Sequence, residues 1–168
     1  MKILIIGGTS SLGTALKNVL GQSHEVITAG RNNCDISIDL NDSTRKITFP
    51  NDIDAVIHTA AQFGGKGALE IIDCENVNVI GTIKLCKAAY DAGVKHFVLV
   101  SSIFATLKKE SEYFGIYALS KKHSEEVVEL FCEKFSIPFT ILRPSQIYGN
   151  SESFRKHQPF FYSMADKA

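Results

Sequence analysis

A chain of 168 residues that is 45% hydrophobic and 21% charged has the size and apolar content of one globular domain, which excludes disorder as the default. Lys plus Arg and Asp plus Glu each total 18, so the net charge is zero and offers no footprint for nucleic acid or an anionic membrane. The four cysteines (Cys34, Cys74, Cys86, Cys132) are widely spaced with no C-x-x-C pair, which speaks against a zinc site or a disulfide framework.

The first predicted element is a strand over Lys2 to Ile6, whose apolar run is too short for a signal-peptide core. No later run reaches membrane-spanning length, so a cytoplasmic location without membrane contact is expected. A glycine-rich turn follows, and then a helix over Ser11 to Leu20 with Leu12, Ala15, Leu16, Val19 and Leu20 at helical spacing. Strands are predicted over Glu25 to Thr28, more weakly over Ile36 to Leu40, and over Asp54 to His58, with little room for a full helix between the second strand and the last of these. A helix over Asn76 to Ala92 stops at Gly93. Then come a strand over His96 to Ser101, a helix over Tyr117 to Phe135, a strand over Phe139 to Leu142, and a helix over Gln158 to Ala168. Short, nearly continuous apolar strands alternating with helices predict an α/β protein with a doubly wound parallel sheet, a three-layer αβα Rossmann fold. Strand-helix alternation gives out at about Gly149, so residues 1–149 are expected to form one dinucleotide-binding domain, with 150–168 outside it.

The turn Gly7-Gly8-Thr9-Ser10-Ser11-Leu12-Gly13 sits where such a fold needs glycine. A tight turn and close approach of backbone to a pyrophosphate both exclude a Cβ, and the N–H groups of the following helix then face the phosphates. Gly7 and Gly13 stand in place, whereas Ser10 or Ser11 replaces the middle glycine, and a plain strand-helix turn would also use these residues. A P-loop around Lys66 fails, because Ala60 occupies the first glycine position and Gly67 the hydroxyl position. The second strand ends in Ala29-Gly30-Arg31-Asn32, without the carboxylate that would take the ribose 2′-OH of NAD. Arg31 is placed to pair with a 2′-phosphate, which favours NADP over NAD, although a solvated turn residue is an equal alternative.

Tyr117 and Lys121 lie four residues apart, on one face of their predicted helix. A phenol with a pKa near ~10 is a poor proton carrier at neutral pH, and a neighbouring ammonium is expected to lower that value. Fifteen residues before Tyr117, Ser101-Ser102 end an apolar strand at the sheet edge where open α/β folds bind ligands. Ser102 can there hydrogen-bond the substrate oxygen that Tyr117 protonates. The five histidines share no metal-ligand spacing, so no metal is expected, and His58 reads as a core residue.

The order of these motifs resembles the extended short-chain dehydrogenase/reductase family of the epimerase/dehydratase type. The glycine turn at 7–13, Asp39-Leu40, Val56-Ile57-His58-Thr59-Ala60-Ala61, Asn78-Val79-Ile80-Gly81-Thr82, Ser101-Ser102 with Tyr117 and Lys121, and the segment from Leu142 to Gly149 carry the resemblance. It implies an NAD(P)-dependent enzyme acting on a carbonyl or hydroxyl of a sugar or sugar nucleotide. Ser102, Tyr117 and Lys121 would be catalytic, Asn78 would support an active-site water network, and Lys121 and Tyr117 would also touch the cofactor. Gly7, Thr9, Ser10, Ser11, Leu12, Gly13, Arg31, Asp39, Leu40, Thr59, Ala60 and Ala61 would complete the cofactor site. Asp39 could equally be a turn residue before Asn41, and Asn78 a surface polar group.

Ile103-Phe104-Ala105 follow Ser102 without the acids that dehydratases of this family place there, so epimerisation or carbonyl reduction is expected rather than elimination. By the same resemblance full-length members continue into a substrate lobe, so the chain reads as truncated, with Phe154, Phe160, Phe161 and Tyr162 expected to be exposed. A non-catalytic NAD(P)-binding sensor or interaction module is the alternative. The helices around 76–92 and 117–135 commonly pair in this family, which implies a homodimer.

Overall fold

The computed structural model describes residues 1–65, 67–149, 152–157, 162–164 and 166. Its elements run β1 (Lys2–Ile6), α1 (Ser11–Leu20), β2 (Glu25–Gly30), β3 (Ile36–Ser37), β4 (Ala55–His58), α2 (Ala68–Glu75), α3 (Gly81–Asp91), β5 (His96–Val100), α4 (Ile116–Lys134), β6 (Phe139–Leu142) and α5 (Glu152–His157). The strands form one sheet in the order β3-β2-β1-β4-β5-β6. Every pairing is parallel, with Ile6 beside both Ala29 and His58, and Val100 beside Leu142. This is the doubly wound Rossmann order, in which the chain reverses its direction of winding between β1 and β4 and opens a crevice at the carboxyl ends of those strands.

The central strands β1, β4 and β5 are largely apolar because both of their faces are covered. Leu4, Ile5, Ile6, Val56, Phe97 and Leu99 are all buried, and Leu85, Ala88 and Ala89 of α3 and Val128 and Cys132 of α4 pack over them. Among the described residues no helix intervenes between β2 and β4. Ile38, Leu40, Phe49 and Ile53 of the connecting segment close the core instead.

Two elements differ from the sequence expectation. The helix predicted from Asn76 begins at Ala68, and α2 passes into α3 through a widened turn over Asn76–Ile80, where the Gly81 N–H reaches back to the Asn76 carbonyl. Leu69, Ile71 and Ile72 of α2 are exposed, so this helix lacks the segregated apolar stripe that betrays one in a sequence. The helix predicted over 158–168 lies largely outside the described residues, as do Phe160 and Phe161, but 162–164 within it are helical, and α5 precedes them. Phe154 is buried rather than exposed, packed against Gly149 so closely that a Cβ there would meet its ring at 2.4 Å. The Tyr162 hydroxyl binds both the N–H and the carbonyl of Gly149.

Candidate active site

The turn after β1 is held by backbone. Gly7 has a φ of 88°, and a Cβ there would meet the Ala60 nitrogen at 2.7 Å. At Gly13 a Cβ would come within 2.2 Å of the Gly7 carbonyl oxygen, so only glycine lets α1 start this close to the strand. Ser10 caps α1. Its Oγ accepts from the Gly13 N–H at 3.0 Å and lies 3.2 Å from Thr59 Oγ1. The serine that replaces the middle glycine is therefore the N-cap. No acidic residue occupies the first turn, so the positive end of the helix dipole is not neutralised by a side chain there, although Ser10 takes the Gly13 N–H.

From this turn a groove runs both ways along the carboxyl edge of the sheet. Toward β2 and β3 it is lined by Gly7, Thr9, Ser10, Arg31, Asp39, Leu40, Ala60 and Ala61. Asp39 also caps the Asn41 N–H at 3.0 Å, so it makes the turn that sequence spacing left open while still lining the groove. Asp35 is turned away, its Oδ2 taking the Thr28 N–H at 2.8 Å and the Thr28 hydroxyl at 2.7 Å, which holds its carboxyl below the usual carboxylate range.

Toward β5 and β6 the groove widens into a cleft of about 770 Å³ that shares Thr9, Ser10 and Ala61 with the first half. Ser11, Leu12, Thr59, Ser102, Tyr117 and Lys121 line it. Thr59 is pinned to the end of β1, its hydroxyl donating to the Ile6 carbonyl at 2.9 Å. Ser102 lies two residues past the end of β5 in extended backbone, and its Oγ caps the next short turn by accepting from Phe104 N at 3.2 Å. Tyr117 and Lys121 stand one turn apart on α4, whose start follows Gly115.

Lys121 is buried. Its ammonium donates to the Val100 carbonyl at 2.9 Å and lies 6.0 Å from the Tyr117 ring centre. Burial pulls its pKa down to about 8, against the opposing pull of Cys74 and Glu125. The expectation that the lysine lowers the Tyr117 pKa is not met in this geometry. Burial raises the phenol, and the one group that lowers it is the Ser102 hydroxyl. The resting phenol is thus held protonated at neutral pH.

Asn78 does not line the cleft. It sits buried in the widened turn, with Oδ1 accepting from the Gln62 N–H and Nδ2 donating to the Gln62 carbonyl, both at 2.8 Å, and to Ser120 Oγ at 2.9 Å. Cys74 Sγ completes the cluster at 3.3 Å from both Ser120 Oγ and the Gln62 carbonyl. This polar knot ties the loop after β4 to α4 between Tyr117 and Lys121. His58 is a core residue whose Nε2 meets Thr82 Oγ1 at 3.0 Å. Because that hydroxyl donates to the Asn78 carbonyl at 2.6 Å, the imidazole N–H is on Nε2. Burial, reinforced by the Lys121 charge, pulls the imidazole pKa down to about 3.

The family model for the NAD dependent epimerase/dehydratase family matches residues 3–165. The chain belongs to that family. Among curated members, a putative UDP-glucose 4-epimerase of Methanocaldococcus jannaschii is 28% identical over 177 residues, covering 89% of this chain and 57% of that protein. The dTDP-D-glucose 4,6-dehydratase of Mus musculus is 34% identical over 122 residues, covering 67% of this chain and 34% of the relative. The crystal structure of a UDP-glucuronic acid 4-epimerase from Bacillus cereus in complex with NAD superposes with a TM-score of 0.73 at 22% identity, over 89% of this chain and 57% of that one. The chain thus spans about half the length of these family members.

In family terms the structure gathers all but two of the expected site residues on one groove. Gly13 is the buried floor of the turn, and Asn78 lies behind the wall. Sequence reasoning missed Phe63 and Phe104. Phe63 stacks on the Tyr117 ring with centroids 5.1 Å apart, and Phe104 meets it edge-on at 6.2 Å. The available signal was their position: Phe104 two residues past Ser102, and Phe63 directly before Gly64-Gly65. Among the described residues no group of His, Cys, Asp and Glu could hold a metal ion, and no helix is long and apolar enough to cross a membrane.

Proposed function

We propose that this chain is the dinucleotide-binding and catalytic part of an NAD(P)-dependent reductase or epimerase that acts on a carbonyl or hydroxyl of a sugar nucleotide. The observation that carries this reading is the continuity of the groove. The glycine turn and helix N-terminus, which suit a pyrophosphate, open directly onto the cleft that holds Ser102, Tyr117 and Lys121. A nicotinamide dinucleotide, when bound, supplies or accepts the hydride.

The chain's own residues handle the proton. In the reductive direction the Tyr117 hydroxyl gives its proton to the substrate oxygen as that oxygen gains charge, and solvent later restores it. Burial favours this direction at rest, since it keeps the phenol protonated. The Ser102 hydroxyl, which lines the same cleft and pulls the Tyr117 phenol down, orients the same oxygen. The same Ser102 hydroxyl favours the phenolate left behind, and Lys121, with its pKa about 8, is mostly charged at neutral pH and stands one turn away to hold the nicotinamide ribose. Gly7, Thr9, Ser10, Ser11, Leu12, Asp39, Leu40, Thr59, Ala60 and Ala61 form the cofactor wall, and Gly13 beneath it lets the turn close. Among the cleft-lining residues no carboxylate accompanies Ser102, which disfavours elimination as the reaction.

NADP is the preferred cofactor in this reading. Arg31 is exposed at the ribose end of the groove, and the nearby Asp35 is engaged with Thr28. A homodimer through the 76–92 and 117–135 helices is also part of the proposal, supported by exposed Ile80, Tyr90 and Leu130 on them, and a Leu130→Glu chain sedimenting as the wild type would count against it. Tyr117→Phe tests the catalytic assignment. The expected outcome is a loss of about 10²- to 10⁴-fold in hydride transfer with cofactor affinity kept within a few-fold. Unchanged turnover would overturn it.

A further inference from the structure

Among the described residues Glu125 is the one buried carboxylate, at 5% exposure, and it lines neither half of the groove. It follows Tyr117 and Lys121 on α4 at the same four-residue interval, so the three side chains share one side of the helix. Arg143 meets it as a fork. Its Nε donates to Oε1 at 2.9 Å and to Oε2 at 3.1 Å, and its Nη2 donates to Oε2 at 2.7 Å. A buried ion pair adds little net stability over apolar side chains of similar volume, because the charges lose water. What a two-pronged pair adds is direction, since a planar guanidinium grips a carboxylate in one arrangement.

That direction is passed on to Ser102. Arg143 follows β6 at once and stands between Leu142 and Pro144. The Leu142 carbonyl accepts from the Ser101 N–H at 2.7 Å, and the Pro144 carbonyl accepts from the Ile103 N–H at 3.1 Å. Ser102 and Arg143 are the residues enclosed between these two bonds, so the backbone that carries the hydroxyl is coupled to the backbone that carries the guanidinium. Before Ser102, Lys121 ties α4 to the Val100 carbonyl at 2.9 Å. Ser102 is thus held to the tyrosine helix from both directions, by the lysine on one side and by the Glu125–Arg143 fork on the other.

Resting on the reading of Tyr117 as proton donor, we infer that Glu125 and Arg143 are a positioning pair, which sets the Ser102 hydroxyl against the Tyr117 phenol by fixing β6 to α4. Both residues act through Ser102 and leave the chemistry to it and to Tyr117.

No substrate is needed to test this. The Ser102 hydroxyl is the group that pulls the Tyr117 phenol down, so the titration of that phenol reports how well Ser102 is placed. The chain is labelled with fluorotyrosine, a more acidic phenol that titrates at lower pH, and is followed by fluorine NMR, with Tyr117→Phe assigning the resonance. Two variants remove the fork without leaving a lone buried charge. Arg143→Lys keeps the cation at a half-exposed position, and the double variant Glu125→Met, Arg143→Met replaces the pair by apolar side chains. Cys74 and Lys121, the other titratable groups near the phenol, are untouched in both. The expected result is a Tyr117 titration about half a pH unit to one unit higher in each variant than in the wild type, with the fold intact by circular dichroism.

The sign separates positioning from charge. Loss of the Glu125 charge alone favours the phenolate, which would lower the titration in the double variant and leave Arg143→Lys unmoved. An unchanged or lowered titration in either folded variant would overturn the proposal. A Tyr117→Phe chain that turns over as the wild type does instead defeats the reading of Tyr117 as proton donor and leaves the shift in place, so the two failures are distinguishable.

Discussion

The two halves of the groove are made of different materials. The half under β1, β2 and β3 is shaped by backbone: a positive φ at Gly7, a contact at Gly13 that admits no Cβ, and a start of α1 that carries no acidic side chain in its first turn. The half under β4, β5 and β6 is shaped by side chains that hold one another, with Asn78, Cys74 and Ser120 locking the loop that carries Phe63 against the helix that carries Tyr117. A backbone site can be broken only by sterics. A side-chain site can be loosened by degrees, and its specificity can change without loss of the fold.

The sharpest break is Gly13→Ala. The added methyl has no room beside the Gly7 carbonyl, so a destabilisation of about 4 kcal/mol in urea unfolding and loss of dinucleotide binding are expected together. Asn78→Ala should act on the other half. It strips the partners from the Gln62 N–H and carbonyl, a cost of about 2–4 kcal/mol, and kcat should fall more than cofactor affinity does. If Asn78→Ala weakened cofactor binding as much as Gly13→Ala, the division into two halves would be wrong.

Arg31→Ala sharpens the cofactor side. A lost charge-assisted contact to a 2′-phosphate predicts about 10- to 100-fold weaker NADPH binding with NADH binding unchanged, read by fluorescence titration. Equal effects on both cofactors would remove the NADP preference.

The smallest effect is graded with pH and comes from His58 on the side-chain half. The fold keeps this imidazole neutral, with a pKa near 3 against 6.5 for an unfolded histidine. The unfolded chain therefore takes up a proton that the folded chain refuses. Stability from this site is complete above pH 6.5 and is lost as pH falls toward 3, at up to ~1.4 kcal/mol per pH unit. Urea midpoints between pH 7 and pH 5 measure it, and a His58→Gln chain with the same slope would contradict the assignment.

The same division explains what could be read without coordinates. The sheet and α1 were legible because apolar runs and glycines state a backbone requirement directly, as at Ile3 to Ile6 and at Gly7 and Gly13. Tyr117 and Lys121 were legible because four residues make one helical turn. What stayed hidden depends on contacts far apart in sequence. The burial that raises Tyr117 and lowers Lys121 comes from packing, and the grip of Asn78 on Gln62 reaches across a sequence separation of 16 that includes α2. Helix α2 was hidden because its apolar residues face outward.

Whether the groove takes a nicotinamide dinucleotide across the β1–β4 crevice is decided by a fluorescence titration of the purified chain with NADPH and with NADH. Saturable binding that Gly13→Ala abolishes, tighter for NADPH than for NADH, is the expected result. A folded chain whose signal never saturates with either cofactor would contradict it.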